Sequence, residues 1–143
     1  MNNTTTESAT TEIEEETGGY LQVNFSRAPK KNHDALVQIG RQFVQWLKKK
    51  HGVRAEIYHL SSSTITSDDF PPDGVESIAK TLSIGDDEEV WVALQFYRDR
   101  AHADQVRSKM MQDESVGAIM KEFDGLVTPG KSLITDGFSR LRT

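Results

Sequence analysis

Apolar and polar residues alternate from Tyr20 onward, with Leu21, Val23 and Phe25 on one side and Tyr20, Gln22, Asn24 and Ser26 on the other. A period of two belongs to a strand, and here it predicts burial of the apolar side against the core and a more polar setting for the other side. After Pro29 the period lengthens. Leu36, Ile39, Gly40, Phe43 and Leu47 recur at helical spacing, with Asn32 as an N-cap candidate and Asp34 in the first turn. Lys48, Lys49, Lys50 and His51 place positive charge on the last turn, where the helix dipole is negative, and Gly52 offers a left-handed exit. A helix is therefore expected over 33–51. Alternation from Val53 to Leu60 predicts a second strand.

Residues 61–87 break the pattern with Ser61-Ser62-Ser63, a turn cluster from Asp68 to Gly74, and the start of an acidic run, Asp86 to Glu89. Irregular stretches of this length inside a domain often serve as lids or binding loops. Val90 to Tyr97 is almost continuously β-branched and aromatic, which predicts a central strand covered on both faces. Asp99 is placed to cap a helix ending near Gln112 with Ala103, Val106 and Met110 inward, and Asp113 to cap a shorter helix carrying Val116, Ile119, Met120 and Phe123. Turn residues at Phe123-Asp124-Gly125 and Pro129-Gly130 lead to a last strand, Leu133 to Leu141, interrupted at Gly137.

The element order suits an α+β, ferredoxin-like β-α-β-β-α-β fold with a four-stranded antiparallel sheet and both major helices on one face. The other face would then leave Trp91 or Val92 in water unless a second copy covers it, so a symmetric homodimer is expected.

Charge sharpens the domain reading. The chain has 143 residues and a formal net charge of −5, from 17 Lys+Arg and 22 Asp+Glu. Residues 1–19 hold Glu7, Glu12, Glu14, Glu15 and Glu16 and no base, which accounts for the whole imbalance. That segment has a single branched apolar residue, Ile13, and reads as a disordered acidic arm ahead of one domain, 20–143. The balanced body argues against a nucleic-acid surface, and Val90 to Tyr97 lacks the basic and glycine positions of the RNA-recognition module. No apolar run approaches the ~20 residues of a membrane span, and the segment 1–19 lacks the basic start and apolar middle of a secretory signal, so a cytoplasmic location is expected.

Candidate chemistry is sparse. There is no cysteine, which excludes disulfides, thiolate metal sites and a cysteine nucleophile. His33, His51, His59 and His102 show no metal-binding spacing, and no Gly-rich phosphate loop or nucleophile elbow occurs, so neither a metal nor another cofactor is expected. His59, at the end of the second strand, has two readings: a hydrogen-bonded sheet histidine or a proton carrier. The polar sides of the strands offer a better signal. Tyr20, Gln22, Asn24, Glu56, Tyr58, Trp91, Gln95 and Tyr97, with Asp136, mix amphipathic rings with amides and acids on the face expected to be open. Such a set lines either a small-molecule pocket or a dimer interface.

Several stretches then resemble one family in order. They are Pro29-Lys30-Lys31-Asn32, Asp69 to Gly74 with Ser77 to Lys80, Tyr97 to His102, Lys109 to Asp113, Phe123-Asp124-Gly125 and Asp136-Gly137-Phe138. Across about residues 20–141 the chain resembles the YbaA-like family of small bacterial proteins of unknown function, within the dimeric α/β-barrel superfamily. The resemblance implies a homodimer whose two sheets form a barrel, as in muconolactone isomerases and cofactor-free monooxygenases, without implying their activity. The expectation carried forward is a homodimeric barrel that binds a small organic molecule, with cofactor-free oxygenase- or isomerase-like chemistry drawing on Tyr58, His59 or Asp136 to handle protons. The alternative is a non-catalytic dimeric interaction module with no ligand pocket.

Overall fold

The structure, a computed structural model, describes residues 19–60, 73–130, 132–135 and 137–141. β1 (Tyr20–Pro29) passes through a 3₁₀ turn, Lys30–Asn32, into α1 (His33–His51), which leads to β2 (Arg54–His59). A short α2 (Ile78–Thr81) precedes β3 (Glu88–Tyr97). There follow α3 (Arg100–Gln112), α4 (Glu114–Leu126) and two short strands, β4 (Leu133–Ile134) and β5 (Phe138–Ser139). The last strand is thus two fragments, parted around Gly137 as the sequence predicts. The acidic arm and much of the long irregular stretch lie outside the described residues.

Local chemistry sets the helix ends. Gly52 leaves α1 at φ 64°, its N–H donating to the Lys48 carbonyl at 3.0 Å. Asp99 accepts the His102 N–H at 2.8 Å, and Asp113 accepts the Ser115 N–H at 2.8 Å. Both carboxyls are held below the usual carboxylate range, Asp99 chiefly by that backbone bond and Asp113 chiefly by the Ser115 hydroxyl. Asn32, expected to cap α1, instead donates from Nδ2 to the Leu126 carbonyl at 2.9 Å, tying the start of α1 to the end of α4.

The antiparallel sheet runs β2-β3-β1-β4, with β5 also pairing β1, and it is not closed. Gln22 sits opposite Gln95, Asn24 opposite Ala93 and Ser26 opposite Trp91, while Ala55, Ile57 and His59 of β2 pair Gln95, Ala93 and Trp91 from the other side. By strand alternation these residues share one face. The helices pack on that face. One buried cluster joins Trp46, Leu47 and Val53 to Ala55, Tyr97, Ala103, Val106 and Val116; a second joins Ala28 and Trp91 to Leu36 and Ile39.

This reverses the expectation for β1, whose polar side was assigned to the open face. Alternation says which residues share a face, but not which face the helices take. That choice follows from the α1 crossover between β1 and β2, which run parallel with β3 between them, and crossover handedness is indifferent to side-chain polarity. Small residues at Ser26, Ala28, Ala55 and Ala93 leave the helices room, and Gly40 brings α1 so close that a Cβ there would lie 2.8 Å from Ile57 Cδ1. Leu21, Val23, Phe25, Val92, Leu94 and Phe96 consequently occupy the opposite face, so β3 is not covered by helices on both sides. The Arg54 guanidinium stacks over Phe96 there, at 3.9 Å from the ring centroid.

Two glycines should respond oppositely to alanine. Gly137 has φ 141° with the Tyr20 ring directly against it, so Gly137→Ala is expected to cost roughly 1–3 kcal/mol. Gly117 lies mid-α4 in open space, so Gly117→Ala should stabilise by up to about 1 kcal/mol. Denaturant unfolding of the two variants reads both signs.

Candidate functional site

A cavity of about 250 Å³ lies between the sheet and the helices. Its walls are mostly apolar, from Leu36, Ile39 and Phe43 of α1, Ile57 of β2, Met110 of α3 and Ile119, Met120 and Phe123 of α4. The sheet supplies Gln22, Asn24 and Ser26 from β1 and Trp91, Ala93 and Gln95 from β3, and Arg107 of α3 completes the polar set. The cavity shares Leu36, Ile39 and Trp91 with the second core cluster and Phe43 and Met110 with the margin of the first.

Hydrogen-bond accounting at this cavity does not close. Gln22 Oε1, Asn24 Oδ1, Trp91 Nε1 and Arg107 Nε are buried and have no hydrogen-bond partner among the described residues. Gln22 is 5% exposed and Trp91 7%. A buried polar group left without a partner costs about 1–3 kcal/mol, so four such atoms around one space are an expensive arrangement for a core that only has to pack. They comprise two acceptors and two donors. By contrast, Gln95 Oε1 accepts the Tyr97 hydroxyl at 2.6 Å, and burial pushes the Tyr97 phenol up to about 12. That pair is a settled part of the core and holds the floor in place.

The structure divides the residues singled out from sequence. Gln22, Asn24, Trp91 and Gln95 line the cavity, on the helix side of the sheet instead of the open side. Tyr97 is in the core at 1% exposure, with Tyr20 packed beside the same cluster. Glu56 and Tyr58 lie on the opposite face, where the Tyr58 hydroxyl donates to Glu56 Oε1 at 2.9 Å; that bond holds the phenol above its ordinary value. Tyr58 therefore does not reach the cavity. Asp136 lies outside the described residues.

His59 is on the helix side, at the Trp91 end of the cavity, with ring centroids 5.4 Å apart. His33, from the start of α1, comes to 5.0 Å from the His59 ring and 5.2 Å from Trp91. Glu89 closes the group, its Oε1 2.8 Å from His33 Nδ1 and its Oε2 3.9 Å from His59 Nδ1. Among the described residues these three are the side chains grouped closely enough to share a metal ion. The sequence reading found no metal spacing because the ligand types come from three elements, 26 and 30 residues apart. The available signal was positional: each stands one repeat from a residue facing the cavity, His33 before Leu36, His59 after Ile57 and Glu89 before Trp91.

Arg107, which no sequence signal marked, sits one turn after Ala103 on the buried side of α3 and lines the cavity; its Nη2 reaches Asp104 Oδ1 at 3.4 Å, while its Nε is buried without a partner among the described residues. Replacing Gln22, whose amide oxygen is buried with no partner among the described residues, by a hydrocarbon of similar size should stabilise the ligand-free protein. Gln22→Leu is expected to gain about 1 kcal/mol in denaturant unfolding; a loss of stability would mean that Gln22 Oε1 is partnered within the protein.

No helix among the described residues is long and apolar enough to cross a membrane. No match is found among curated proteins. The family described as protein of unknown function (DUF1428) matches residues 19–125, three quarters of the chain, covering β1 through nearly all of α4 with every cavity residue named above. The chain belongs to this family of proteins of unknown function, the one its sequence motifs resemble.

Proposed function

We propose that the protein binds a compact organic molecule in the cavity between sheet and helices. The observation that carries the reading is that Gln22, Asn24, Trp91 and Arg107, each with a buried side-chain atom that has no hydrogen-bond partner among the described residues, all line one largely apolar space. A volume of about 250 Å³ falls just below the ~300–1,000 Å³ of common ligand clefts. It suits a small aromatic or lactone-like molecule. Apolar walls take its rings, the amide oxygens accept from a hydroxyl or N–H, and the indole and guanidinium N–H groups donate to a carbonyl or carboxylate. Of the three proton-handling candidates, His59 has the most support, because Trp91 links it to the cavity wall.

The assembly we propose is a homodimeric α/β barrel of ferredoxin-like subunits. Support comes from the strand order β2-β3-β1-β4 with its helices on one face, and from the apolar face left on the other side at Leu21, Phe25, Val92, Leu94 and Phe96. A second copy placing the same face against this one would remove that surface from water on both chains. The barrel interior is then an apolar interface, and the ligand site belongs to each subunit separately.

Two measurements test these parts independently. A thermal-shift screen of aromatic and lactone-like compounds should find ligands worth about 2.7 kcal/mol of stabilisation at 100 times their Kd, and Ala93→Leu, which fills the floor, should abolish the effect. A ligand that stabilises Ala93→Leu as much as the unsubstituted chain binds elsewhere and overturns the cavity reading. Light scattering at micromolar protein should give twice the chain mass, and Leu94→Arg should reduce it to one; a monomer from the outset refutes the dimer.

A further inference from the structure

We propose that His33, His59 and Glu89 form a binding site for a divalent transition-metal ion at the Trp91 end of the cavity. All three donor atoms lie within 4.8 Å of one another, and the two carboxylate oxygens face different imidazoles. Glu89 Oε1 is within hydrogen-bond distance of His33 Nδ1, but the 3.9 Å from Oε2 to His59 Nδ1 is too long for a hydrogen bond. Glu89 thus bonds one imidazole and leaves its second oxygen turned toward the other without a bond between them. Parting His33 from Glu89 by about half an ångström and drawing His59 in by a similar amount brings the donors to the roughly 3.3 Å separation that 2.0–2.1 Å bonds to a tetrahedral ion require.

The donor set selects the kind of ion. Two imidazoles and one carboxylate suit Zn²⁺, Fe²⁺, Co²⁺ or Ni²⁺, while Ca²⁺ and Mg²⁺ favour oxygen ligands throughout. Three protein ligands leave coordination positions open, the pattern of metal centres that also hold a water or a ligand.

Each of the three residues stands on a helix or a strand. His33 is fixed by the first turn of α1, while His59 and Glu89 stand at the adjoining ends of antiparallel β2 and β3, where the Leu60 N–H donates to the Val90 carbonyl at 2.8 Å. Trp91 lies against both imidazoles and also forms part of the cavity wall. Exposure is graded in the way an accessible ion needs, with the Glu89 side chain 12% exposed and those of His33 and His59 36% and 42%. The ion's part in holding the cavity ligand rests on the binding reading above; the metal site itself does not.

The test uses the untagged full-length chain, stripped with chelator and then dialysed. Co²⁺ is titrated with visible absorption as readout, and Zn²⁺ by calorimetry. One ion per chain is expected, with the intense d–d bands of a low-coordinate cobalt site. His33→Ala, His59→Ala and Glu89→Gln should each weaken binding by at least the ~10–100-fold that loss of a supporting partner alone costs. Glu89→Gln keeps the side-chain shape, and circular dichroism verifies that each variant is folded. The double variant His51→Ala/His102→Ala, which removes the other two histidines, should bind as the unsubstituted chain does. Absence of binding, or binding unaffected by all three ligand substitutions, overturns the proposal. Thermal shifts by organic ligands measured in chelator read the cavity alone, so failure of the metal site and failure of the cavity reading give different results.

Discussion

Gln22, Asn24 and Ser26 face the helices of this protein, and the rest of the site depends on that orientation. A sheet ordinarily turns its apolar side to the helices that cover it, so that burial of hydrocarbon holds the two layers together. Here β1 turns its amides inward and the helices close over them, gripping the sheet through two separate clusters, around Leu47 and Tyr97 and around Ile39 and Trp91. Between the clusters, Gln22 Oε1 and Asn24 Oδ1 of this stripe are buried beside apolar walls with no hydrogen-bond partner among the described residues. The result is a cavity lined by four residues, Gln22, Asn24, Trp91 and Arg107, that each keep a buried polar atom without a partner among the described residues, and the proposed function rests on that deficit.

The same inversion accounts for the other face. With the polar stripe enclosed, Leu21, Phe25, Val92, Leu94 and Phe96 are left on the side away from the helices, the surface on which the proposed dimer rests. The His33–His59–Glu89 group stands at the cavity's Trp91 end because α1, β2 and β3 all reach that end of the sheet. Cavity, apolar face and histidine cluster are thus consequences of one choice of side, and a change that altered how α1 crosses from β1 to β2 would disturb all three.

Most of the secondary structure was legible in the sequence, since it rests on signals local to a few residues. The 3.6-residue repeat from Leu36 to Leu47 with Gly52 beyond it marks α1 to the residue, and Asp99 and Asp113 mark the starts of α3 and α4. Asn32 shows the limit of such signals, because a tertiary bond to Leu126 took the side chain that the helix end could have used. The members of the site were partly legible: Gln22, Asn24, Trp91 and Gln95 stood out as polar or amphipathic residues in strands. Their location did not, because which face the helices cover is decided by the path of the chain and not by the alternation itself. The histidine cluster was hidden for a related reason, as residues 26 and 30 apart become neighbours only once three elements are assembled.

The two tryptophans, Trp46 and Trp91, give the most direct test of the central claim that the cavity's unpartnered atoms are filled by a ligand. Both indole N–H groups are buried without a hydrogen-bond partner among the described residues, yet only Trp91 lines the cavity. In ¹H–¹⁵N spectra of the labelled chain, with the two indole signals assigned through Trp91→Phe, addition of a bound compound should move the Trp91 indole in the direction of a stronger hydrogen bond. The Trp46 indole should stay where it is. A compound that binds while leaving the Trp91 signal in place, or that moves Trp46 instead, would contradict the account.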